Sequence, residues 1–385
     1  WKNPANERQF GRYGLWGIPH DLSRLFDDAR AHGAAIHSNS WGGGKPGEYD
    51  AQSQQVDDYV WKHPEFCILV AAGNDGTDTD GDGIVNPMSV TSPGTAKNCI
   101  TVGASENNRP TFNVDTYGTW WSRDFPGSQW AQDAMADRPG TVAAFSSRGP
   151  TRDGRVKPDV VAPGTFILST RSTQLAPNNF AWRAFPPSKL YFFMGGTSMA
   201  TPLTAGAVAL LREYLRKKQG LKKPSAAMLK AALIAGADRL PGYAPPGVVM
   251  DPHQGYGRVN VSAVTSPPAG VKAQFLDVAP GLQTGAMHQL VINASGNVPL
   301  RVVLAYSDAP GPQLVNNLNL ILVSPKGQRV TGNQPSTGGT LALDTQNNVE
   351  VAHVPQPAAG QWTVQVLASN VPQGPQPFAV VVMGG

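Results

Sequence analysis

The sequence predicts an α/β domain built on a parallel sheet, followed by an all-β sandwich or barrel. Over about residues 15–263, nearly continuous apolar runs alternate with helical patterns, which is typical of a parallel sheet covered on both faces. From Thr265–Gly270 onward the helical periodicity ends, and short alternating strands separated by turn residues follow. We therefore expect two domains, over residues 1–265 and 271–385.

Apolar periodicity predicts the individual elements. Segments with apolar residues on one helical face are predicted helices, and uninterrupted or alternating apolar runs are predicted strands. The predicted helices cover Leu22–Ala31, a segment that includes Val56–Trp61, Ser198–Lys218 and Ser225–Ala235. The predicted strands of the first domain cover Ala34–Trp41, Phe66–Ala72, Cys99–Ala104 and a segment that begins at Asp159–Ala162. Those of the second domain cover His288–Asn293, Arg301–Tyr306, Asn319–Val323 and Gln361–Leu367.

The composition excludes several classes of protein. Apolar residues make up 41% of the 385 residues, enough for sizeable cores, and the net charge is only +4. The basic residues between Arg212 and Lys223 suit the C-terminal end of a helix dipole, so no nucleic-acid partner is expected. There is no apolar run of membrane-spanning length, so no membrane span is expected either. The high content of Gly (42) and Pro (34) suits a loop-rich secreted protein.

Two cysteines, Cys67 and Cys99, lie in apolar runs that are predicted strands. Buried free thiols are the favoured interpretation, because cysteine behaves as a small apolar residue in such positions. A disulfide between neighbouring strands is the alternative.

The strongest chemical signal is the segment Gly195–Pro202, with the sequence GGTSMATP. Its glycines allow a sharp turn, and Ser198 then opens a helix. Backbone N–H groups in a first helical turn have no internal partner and attract developing negative charge. A serine here can attack a carbonyl carbon while its own amide holds the resulting oxyanion. On this segment alone, an N-cap serine after a glycine-rich turn is equally consistent.

Two further segments end predicted strands, where ligands of open α/β sheets gather. Asn74 follows the strand that ends at Ala71 and Ala72, and its side-chain amide is placed to donate to the same oxyanion. The alternative is that Asn74 begins an Asx turn. The second segment is Ser38–Gly43, in which extended backbone beside small residues suits pairing with a peptide substrate.

Together these segments resemble the subtilisin-like serine proteases, or subtilases. The segment around Ser198 resembles the nucleophile motif of the family, and Asn74 matches its oxyanion-hole asparagine. The further stretches Phe145–Gly149 and Lys157–Gly164 are also typical of the family. The residues that match the two walls of the primary specificity pocket are Ser40, Trp41, Gly42, Ala71, Ala72 and Gly73.

The resemblance covers about residues 15–263 and implies the fold and the activity. The implied activity is that of a serine endopeptidase, which hydrolyses peptide bonds of polypeptide substrates. The implied fold is an N-terminally incomplete subtilisin-like domain. The β-rich C-terminal part implies the subgroup with a jelly-roll-like β-barrel domain.

The family places the catalytic Asp and His before the Ser along the chain, and neither motif occurs here. His32-Gly33 is followed by alanines, so His32 is interpreted as a surface residue and His37 as a structural strand residue. A serine without a base is a poor nucleophile. We therefore expect an N-terminal segment of the same protease to supply both residues, and this chain alone to be inactive. The alternative is a catalytically inactive remnant that acts as a binding scaffold.

An acidic loop after Asn74 predicts a structural calcium site. Three carboxylates at alternate positions, followed by glycine, converge on one hard cation. The predicted ligands are Asp78, Asp80 and Asp82, with the Ile84 carbonyl and Asn86 completing the shell. A solvated acidic turn is the alternative.

The second domain contains two segments that resemble calcium segments of the subgroup, Ser307–Pro310 and Val315–Asn319. Further ligands there are Asp344, Asn348 and Glu350, and a purely structural turn is equally consistent.

A long insertion over about Asn113–Gly140 interrupts the first domain. The favoured interpretation is a surface loop folded around its own aromatic residues, and the alternative is an aromatic rim on a substrate cleft. These residues are Tyr117, Trp120, Trp121, Phe125 and Trp130.

Overall fold

A four-stranded parallel sheet in the order β1-β2-β3-β4 forms the centre of the first part of the chain. The structure, a computed structural model, describes residues 17–245, 247–334 and 342–385. Strands β2 and β3 are buried along their whole length, which explains why their sequences read as continuous apolar runs. The strands are β1 (Ile36–Asn39), β2 (Cys67–Ala71), β3 (Ile100–Ser105) and β4 (Val160–Pro163).

Four helices of nine or more residues cover or flank this sheet, as the periodicity predicts. Capping side chains explain where two of them begin. Asp50, just before α2, accepts two backbone N–H groups of the first turn, and Ser225, just before α6, accepts one. The helices are α1 (Ser23–Ala31), α2 (Ala51–Lys62), α3 (Tyr117–Trp120), α4 (Ser128–Ala131), α5 (Thr197–Lys218), α6 (Ala226–Ala235) and α7 (Ser262–Thr265).

A small antiparallel sheet, which the sequence analysis did not predict, brings the chain to the start of α5. Its order is β5-β7-β6, and its strands are β5 (Ile167–Thr170), β6 (Arg183–Ala184) and β7 (Tyr191–Met194). Because β7 ends one residue before Gly195, this sheet fixes the position of the glycine-rich turn.

The C-terminal part contains two antiparallel four-stranded sheets, in the orders β13-β10-β15-β8 and β12-β11-β14-β9. The predicted all-β character is therefore confirmed. Residues such as Val302 and Leu304 pack between the sheets, whereas Val303 and Ala305 belong to the core that includes α6. The strands are β8 (Lys272–Leu282), β9 (Met287–Ala294), β10 (Leu300–Ala305), β11 (Asn317–Val323), β12 (Arg329–Thr331), β13 (Val349–Val354), β14 (Gly360–Asn370) and β15 (Gln376–Gly384).

The α/β part and the β part share one core along α6. The change in secondary structure falls between the end of α7 at Thr265 and the beginning of β8 at Lys272. The division into domains of residues 1–265 and 271–385 stays a prediction, because the core is continuous across it.

Several smaller predictions concern single residues. Cys67 and Cys99 are free and buried, as the favoured interpretation requires. His32 is exposed at the end of α1, and the His37 ring packs edge-on against Phe26 with the centroids 5.2 Å apart. Among the described residues, no helix is both long and apolar enough to cross a bilayer.

Candidate active site

Ser198 lies in the first turn of α5, which begins at Thr197. Gly196 before it has φ +133, a backbone conformation that would strain any side chain. The Ser198 hydroxyl is 3.5 Å from the Ser40 carbonyl oxygen, which is long for an O–H···O hydrogen bond. The Ser198 oxygen therefore stays available to a substrate. Its backbone N–H has no hydrogen-bond partner within the described residues.

The side-chain amide of Asn74 is held in one orientation by the residue before Ser198. Its Oδ1 accepts hydrogen bonds from the Thr197 backbone N–H at 2.8 Å and from the Thr197 hydroxyl at 3.1 Å. Because a backbone N–H only donates, the atom that faces it is the amide oxygen. Nδ2 is therefore directed away from the Thr197 N–H, and within residues 17–245, 247–334 and 342–385 it has no acceptor.

The two free donors flank one point beside Gly196. A Cβ built on Gly196 would lie 3.5 Å from both Nδ2 and Oδ1 of Asn74 and 3.7 Å from the Ser198 amide nitrogen. The lack of a side chain at Gly196 therefore leaves space between both donors. Two N–H donors that converge beside a serine hydroxyl suit an oxygen that gains negative charge.

Ser40, Trp41 and Gly42 follow β1 and approach the start of α5. The Ser40 hydroxyl donates to the Ser198 carbonyl oxygen at 2.8 Å, which fixes the end of β1 to the helix. The backbone groups of Trp41 and Gly42 form no hydrogen bond with the rest of the described chain. They are therefore open to the addition of a peptide strand.

Ala71, Ala72 and Gly73 follow β2, and their backbone is largely occupied. Ala71 ends the strand, and the Ala72 N–H donates to β3 at 2.9 Å. The Gly73 N–H donates to the Thr197 hydroxyl at 3.3 Å, and its carbonyl oxygen accepts from the Ser147 N–H at 3.0 Å. This segment therefore offers a wall rather than a free strand edge.

Thr197 and Ser147 position the site, although the sequence analysis assigned no role to either. The Ser147 hydroxyl accepts from the Asp75 N–H at 3.1 Å, and the Gly76 N–H donates to the Phe145 carbonyl oxygen at 2.9 Å. The loop after β2 is thus fixed from both sides. Both residues lie inside stretches that resemble the family, which was the only signal available in the sequence.

The stretch Lys157–Gly164 has a structural role. Asp159 accepts from the ammonium groups of Lys157 at 2.7 Å and Lys230 at 2.8 Å, and all three side chains are buried. Burial alone would raise the pKa of Asp159, but the two ammonium groups lower it below its ordinary value. This ion cluster joins β4 to α6 behind the site.

No histidine accompanies Ser198. All seven histidines of the sequence lie in the described part of the chain, and none forms a hydrogen bond with Ser198 there. His32 is the histidine whose sequence context is most similar to the expected motif, since a glycine follows it. It lies on the surface, and its ring Nδ1 donates to the Asp28 carbonyl oxygen at 2.8 Å. The described residues therefore provide the serine and two N–H donors without a bonded histidine.

The predicted calcium ligands come together in the structure. Ligand oxygens of Asp78, Asp80 and Asp82 lie within 4.8 Å of one another. Asp78 is fully buried, and its Oδ1 has no hydrogen-bond partner. A buried carboxylate oxygen without a partner is costly unless a cation binds it. The Ile84 carbonyl is also free within the described residues, whereas the Asn86 side-chain oxygen accepts a long bond from the Thr79 N–H at 3.4 Å.

The acids of the second domain have protein partners instead. Asp308 accepts from the Lys97 ammonium at 2.6 Å, and both side chains are fully buried. Asp344 accepts backbone N–H groups of its own turn, and the Asn348 amide donates to carbonyl oxygens. Burial raises the pKa of Glu350 well above its ordinary value. Within the described residues these side chains do not form a cluster for a cation, so the structural-turn interpretation fits them.

The insertion folds around its own aromatic residues, as favoured, and also reaches the site. Tyr117 is buried among Trp121, Phe125 and Trp130, with ring centroids 5.7–6.4 Å from its own. Trp130 Nε1 donates to Asp78 Oδ2, so the insertion also holds the acidic loop. Trp121 and Phe125 line a pocket that includes Asn74.

A parallel sheet whose strand ends face a helix-initiating serine is typical of the α/β class of serine hydrolases. The chain belongs to the subtilase family, because residues 19–257 match the model described as Subtilase family. Serine proteases of this family act on polypeptides. The predicted family and fold class are thereby confirmed.

Relatives with named activities are similar over different shares of the chain. The serine protease/ABC transporter B family protein tagD of Dictyostelium discoideum is 26% identical over 481 residues, covering 95% of this chain and 26% of tagD. Pyrolysin of Pyrococcus furiosus is 34% identical over 258 residues, covering 66% of this chain and 16% of pyrolysin. The chain thus spans about a quarter or less of the length of these relatives.

Among solved structures, the prenylagaramide maturation protease PagA is 21% identical, with a TM-score of 0.43 over 67% of this chain and 72% of PagA. The protease CspB of Clostridium perfringens is 18% identical, with a TM-score of 0.43 over 63% of this chain and 68% of CspB.

Proposed function

We propose that this chain carries the nucleophile and the oxyanion site of a serine endopeptidase that acts outside the cell. The Ser198 oxygen attacks the carbonyl carbon of a peptide bond, and a base outside this chain takes the hydroxyl proton. The carbonyl oxygen becomes an oxyanion between Asn74 Nδ2 and the Ser198 N–H. The base then returns the proton to the leaving amine, and water releases the acyl group from Ser198 in the reverse sequence.

The observation that carries this proposal is the orientation of Asn74. The Thr197 N–H, 2.8 Å from Asn74 Oδ1, occupies the amide oxygen and leaves Nδ2 as the free atom of the amide next to Gly196. A purely structural Asx turn would use the side-chain oxygen to accept from its own following backbone. Here the oxygen accepts from a residue distant in sequence, which supports a role toward a ligand rather than a turn.

We also propose that an N-terminal segment of the same protease supplies the Asp and His. One support is that no described histidine bonds Ser198. Another is that β1 is the terminal strand of the sheet within the described residues, so that its outer edge is open to a further strand. Leu203 and Leu210 on α5 are 46% and 61% exposed, as expected for apolar side chains that lack a cover.

Substitution of Asn74 tests the oxyanion role. Asn74→Ala in the complete protease removes one donor, so kcat should fall about 10²–10³-fold, the range observed for loss of such a donor in a subtilisin, while KM changes little. Asn108→Ala, at an exposed asparagine away from the site, is the matched control and should leave both constants unchanged. Equal losses in kcat and in substrate binding would contradict the role.

Labelling with a fluorophosphonate tests the nucleophile and the missing base together. The complete protease should react at Ser198, and residues 1–385 alone should react far more slowly because no base takes the proton. The Ser198→Ala variant is the control for labelling elsewhere. If the complete protease is not labelled, the protein is a non-catalytic scaffold and the proposed activity is wrong.

We propose further that the loop Asp78–Asn86 binds a structural calcium ion. The ligands would be Asp78 Oδ1, Asp80 and Asp82, with the Ile84 carbonyl, Asn86 and water as additional oxygens. The buried, unpartnered Asp78 Oδ1 supports a cation. Because the Asp78 N–H donates to the Asp124 carbonyl oxygen at 2.8 Å, bound calcium would also order the insertion.

Terbium luminescence tests the calcium site directly, because Trp130 bonds the carboxylate of Asp78 and lies close enough to sensitise a bound lanthanide. Terbium should luminesce on excitation of tryptophan, calcium should displace it, and Asp82→Asn should weaken both effects. Asp58→Asn, on the exposed face of α2, is the control. Failure of calcium to displace terbium, or an unchanged signal in Asp82→Asn, would contradict the site.

A further inference from the structure

A pocket of about 310 Å³ is lined by Asn74, one of the two proposed oxyanion donors, and by Gly196. Asn74 and Gly196 form its inner boundary, so an occupant would lie next to the proposed reaction centre. The rest of its wall comes from the loop after β2, the insertion, Phe145, Trp182 and Gly195. The sequence analysis did not predict this pocket, because its residues come from distant parts of the chain.

The pocket is separate from the two segments that are proposed to hold the acyl side of a substrate. None of Ser40–Gly42 or Ala71–Gly73 lines it, whereas Gly195 and Asp75 do. Because the lining holds Asn74 and Gly196 but none of the acyl-side segments, the pocket is assigned to the residue on the leaving-group side of the cleaved bond.

Aromatic rings form a rigid wall of this pocket. Trp182 packs against Trp121 and Phe145, with ring centroids 6.1 and 6.0 Å apart. It also covers Gly195 so closely that a Cβ there would lie 2.0 Å from the Trp182 ring. The three rings fix one another, and the partly exposed rings of Trp121 and Trp182 attract cations through the ring quadrupole.

Two carboxylates share the pocket with these rings. Asp75 and Asp124 line it, and neither forms an ion pair with any described Lys or Arg. No Lys or Arg is among the lining residues. The pocket thus combines aromatic faces with two negative charges that lack a cationic partner within the described residues.

We propose that this pocket binds a lysine or arginine side chain on the leaving-group side of the cleaved peptide bond. This inference depends on the proposed peptidase activity, whose substrate class it narrows. The aliphatic stem of the side chain lies against the rings of Trp121 and Trp182, and its charged end reaches Asp75 and Asp124.

Peptides that differ at one position test the proposal in the complete protease. The residue after the cleaved bond is Lys in one peptide, Gln in a second and Glu in a third. We expect kcat/KM to be about tenfold higher for Lys than for Gln, since a cation–π contact and a partly screened ion pair each contribute a few-fold. Glu should be cleaved more slowly than Gln because its charge repels both carboxylates.

Variants at Asp124 assign the effect to the pocket. Asp124→Asn should reduce the Lys to Gln ratio to about threefold, and Asp124→Lys should make Glu the better substrate. Asp137→Asn removes the same charge from an exposed position of the same insertion and should leave the ratio unchanged. Melting temperatures of all variants show whether each is folded.

The outcomes separate this inference from the peptidase proposal. Cleavage of all peptides with a Lys to Gln ratio within about twofold overturns the pocket assignment and leaves the activity in place. No cleavage together with no fluorophosphonate labelling of Ser198 overturns both. Binding of the uncleaved peptides to the Ser198→Ala protease gives a second measure, in which Lys should again bind more tightly than Gln.

Discussion

Lys97 connects the α/β part to the β part through a buried ion pair. Its ammonium lies 2.6 Å from Asp308 Oδ2 and also donates to the carbonyl oxygens of Ala309 and Gln313, at 2.7 and 2.9 Å. Both charged side chains are fully inaccessible to solvent. The Lys97→Met variant keeps an unbranched side chain only one atom shorter and removes the charge, which leaves the carboxylate buried without its cation.

The expected loss of stability follows from this geometry. Breaking a buried ion pair by removing one partner costs about 3–5 kcal/mol, because the remaining charge is uncompensated. For a chain of this length, a loss of about 4 kcal/mol corresponds to a decrease in melting temperature of about 5 °C. The carboxylate keeps the backbone N–H groups of Val315 and Asn316, both at 2.8 Å, so the lower half of the range is expected.

Scanning calorimetry and urea unfolding measure this loss. Lys62→Met is the matched control, since Lys62 and Asp58 form a pair at 2.7 Å on the surface, where less than about 1 kcal/mol is expected. Adding Asp308→Asn to Lys97→Met should recover part of the loss, because the buried charge is then removed. Equal losses in Lys97→Met and Lys62→Met would refute the reasoning.

Three further predictions concern buried or reactive groups. Burial raises the pKa of Glu106 from 4.5 to about 7, so the folded state holds that proton more tightly, and the stability that the proton contributes is lost as pH rises through this interval. The melting temperature of Glu106→Gln should match that of the unmodified protein near pH 4 and exceed it at pH 8, whereas Glu213→Gln on the surface should match it at both pH values. Burial raises the pKa of Cys67 to about 12, so a thiol reagent at pH 8 should label neither cysteine until the protein is unfolded, and fast labelling of the folded protein would contradict their burial. Peroxide should reduce peptidase activity by converting Met199, which follows the proposed nucleophile Ser198, to a bulkier sulfoxide. If a Met199→Leu variant loses activity equally fast in peroxide, oxidation of Met199 is not the cause.

The elements of the α/β part could be predicted because their signals are local. The run Phe66–Ala72 is apolar throughout because β2 is buried on both faces, and the observed strand, Cys67–Ala71, lies inside it. The start of α5 differs from the predicted one by a single residue, since glycines before a serine mark a helix beginning. The sheet of β5, β6 and β7 was missed because its short strands carry few alternating positions.

The residues of the candidate site could be predicted from the sequence, but their geometry could not. Ser198 and Asn74 lie in recognisable segments, but the hydrogen bond that orients the Asn74 amide joins residues separated by 123 positions. The acidic loop was predicted from its spacing, whereas its contact with Trp130 required the folded insertion. The second acidic segment shows the limit of this reasoning, because the sequence left a metal ion and a structural turn equally open, and the cation bound to Asp308 is Lys97, 211 positions away.

The sequence by itself determined the class of the fold, the nucleophile segment and the acidic loop, because periodicity, glycine placement and charge spacing act over a few residues. Only the tertiary structure decided which atom of the Asn74 amide is free, which cation neutralises Asp308 and which aromatic rings share a pocket with Asp75 and Asp124. Such pairings depend on how the chain closes long loops, and the packing of complementary shapes and charges in the folded core selects among them.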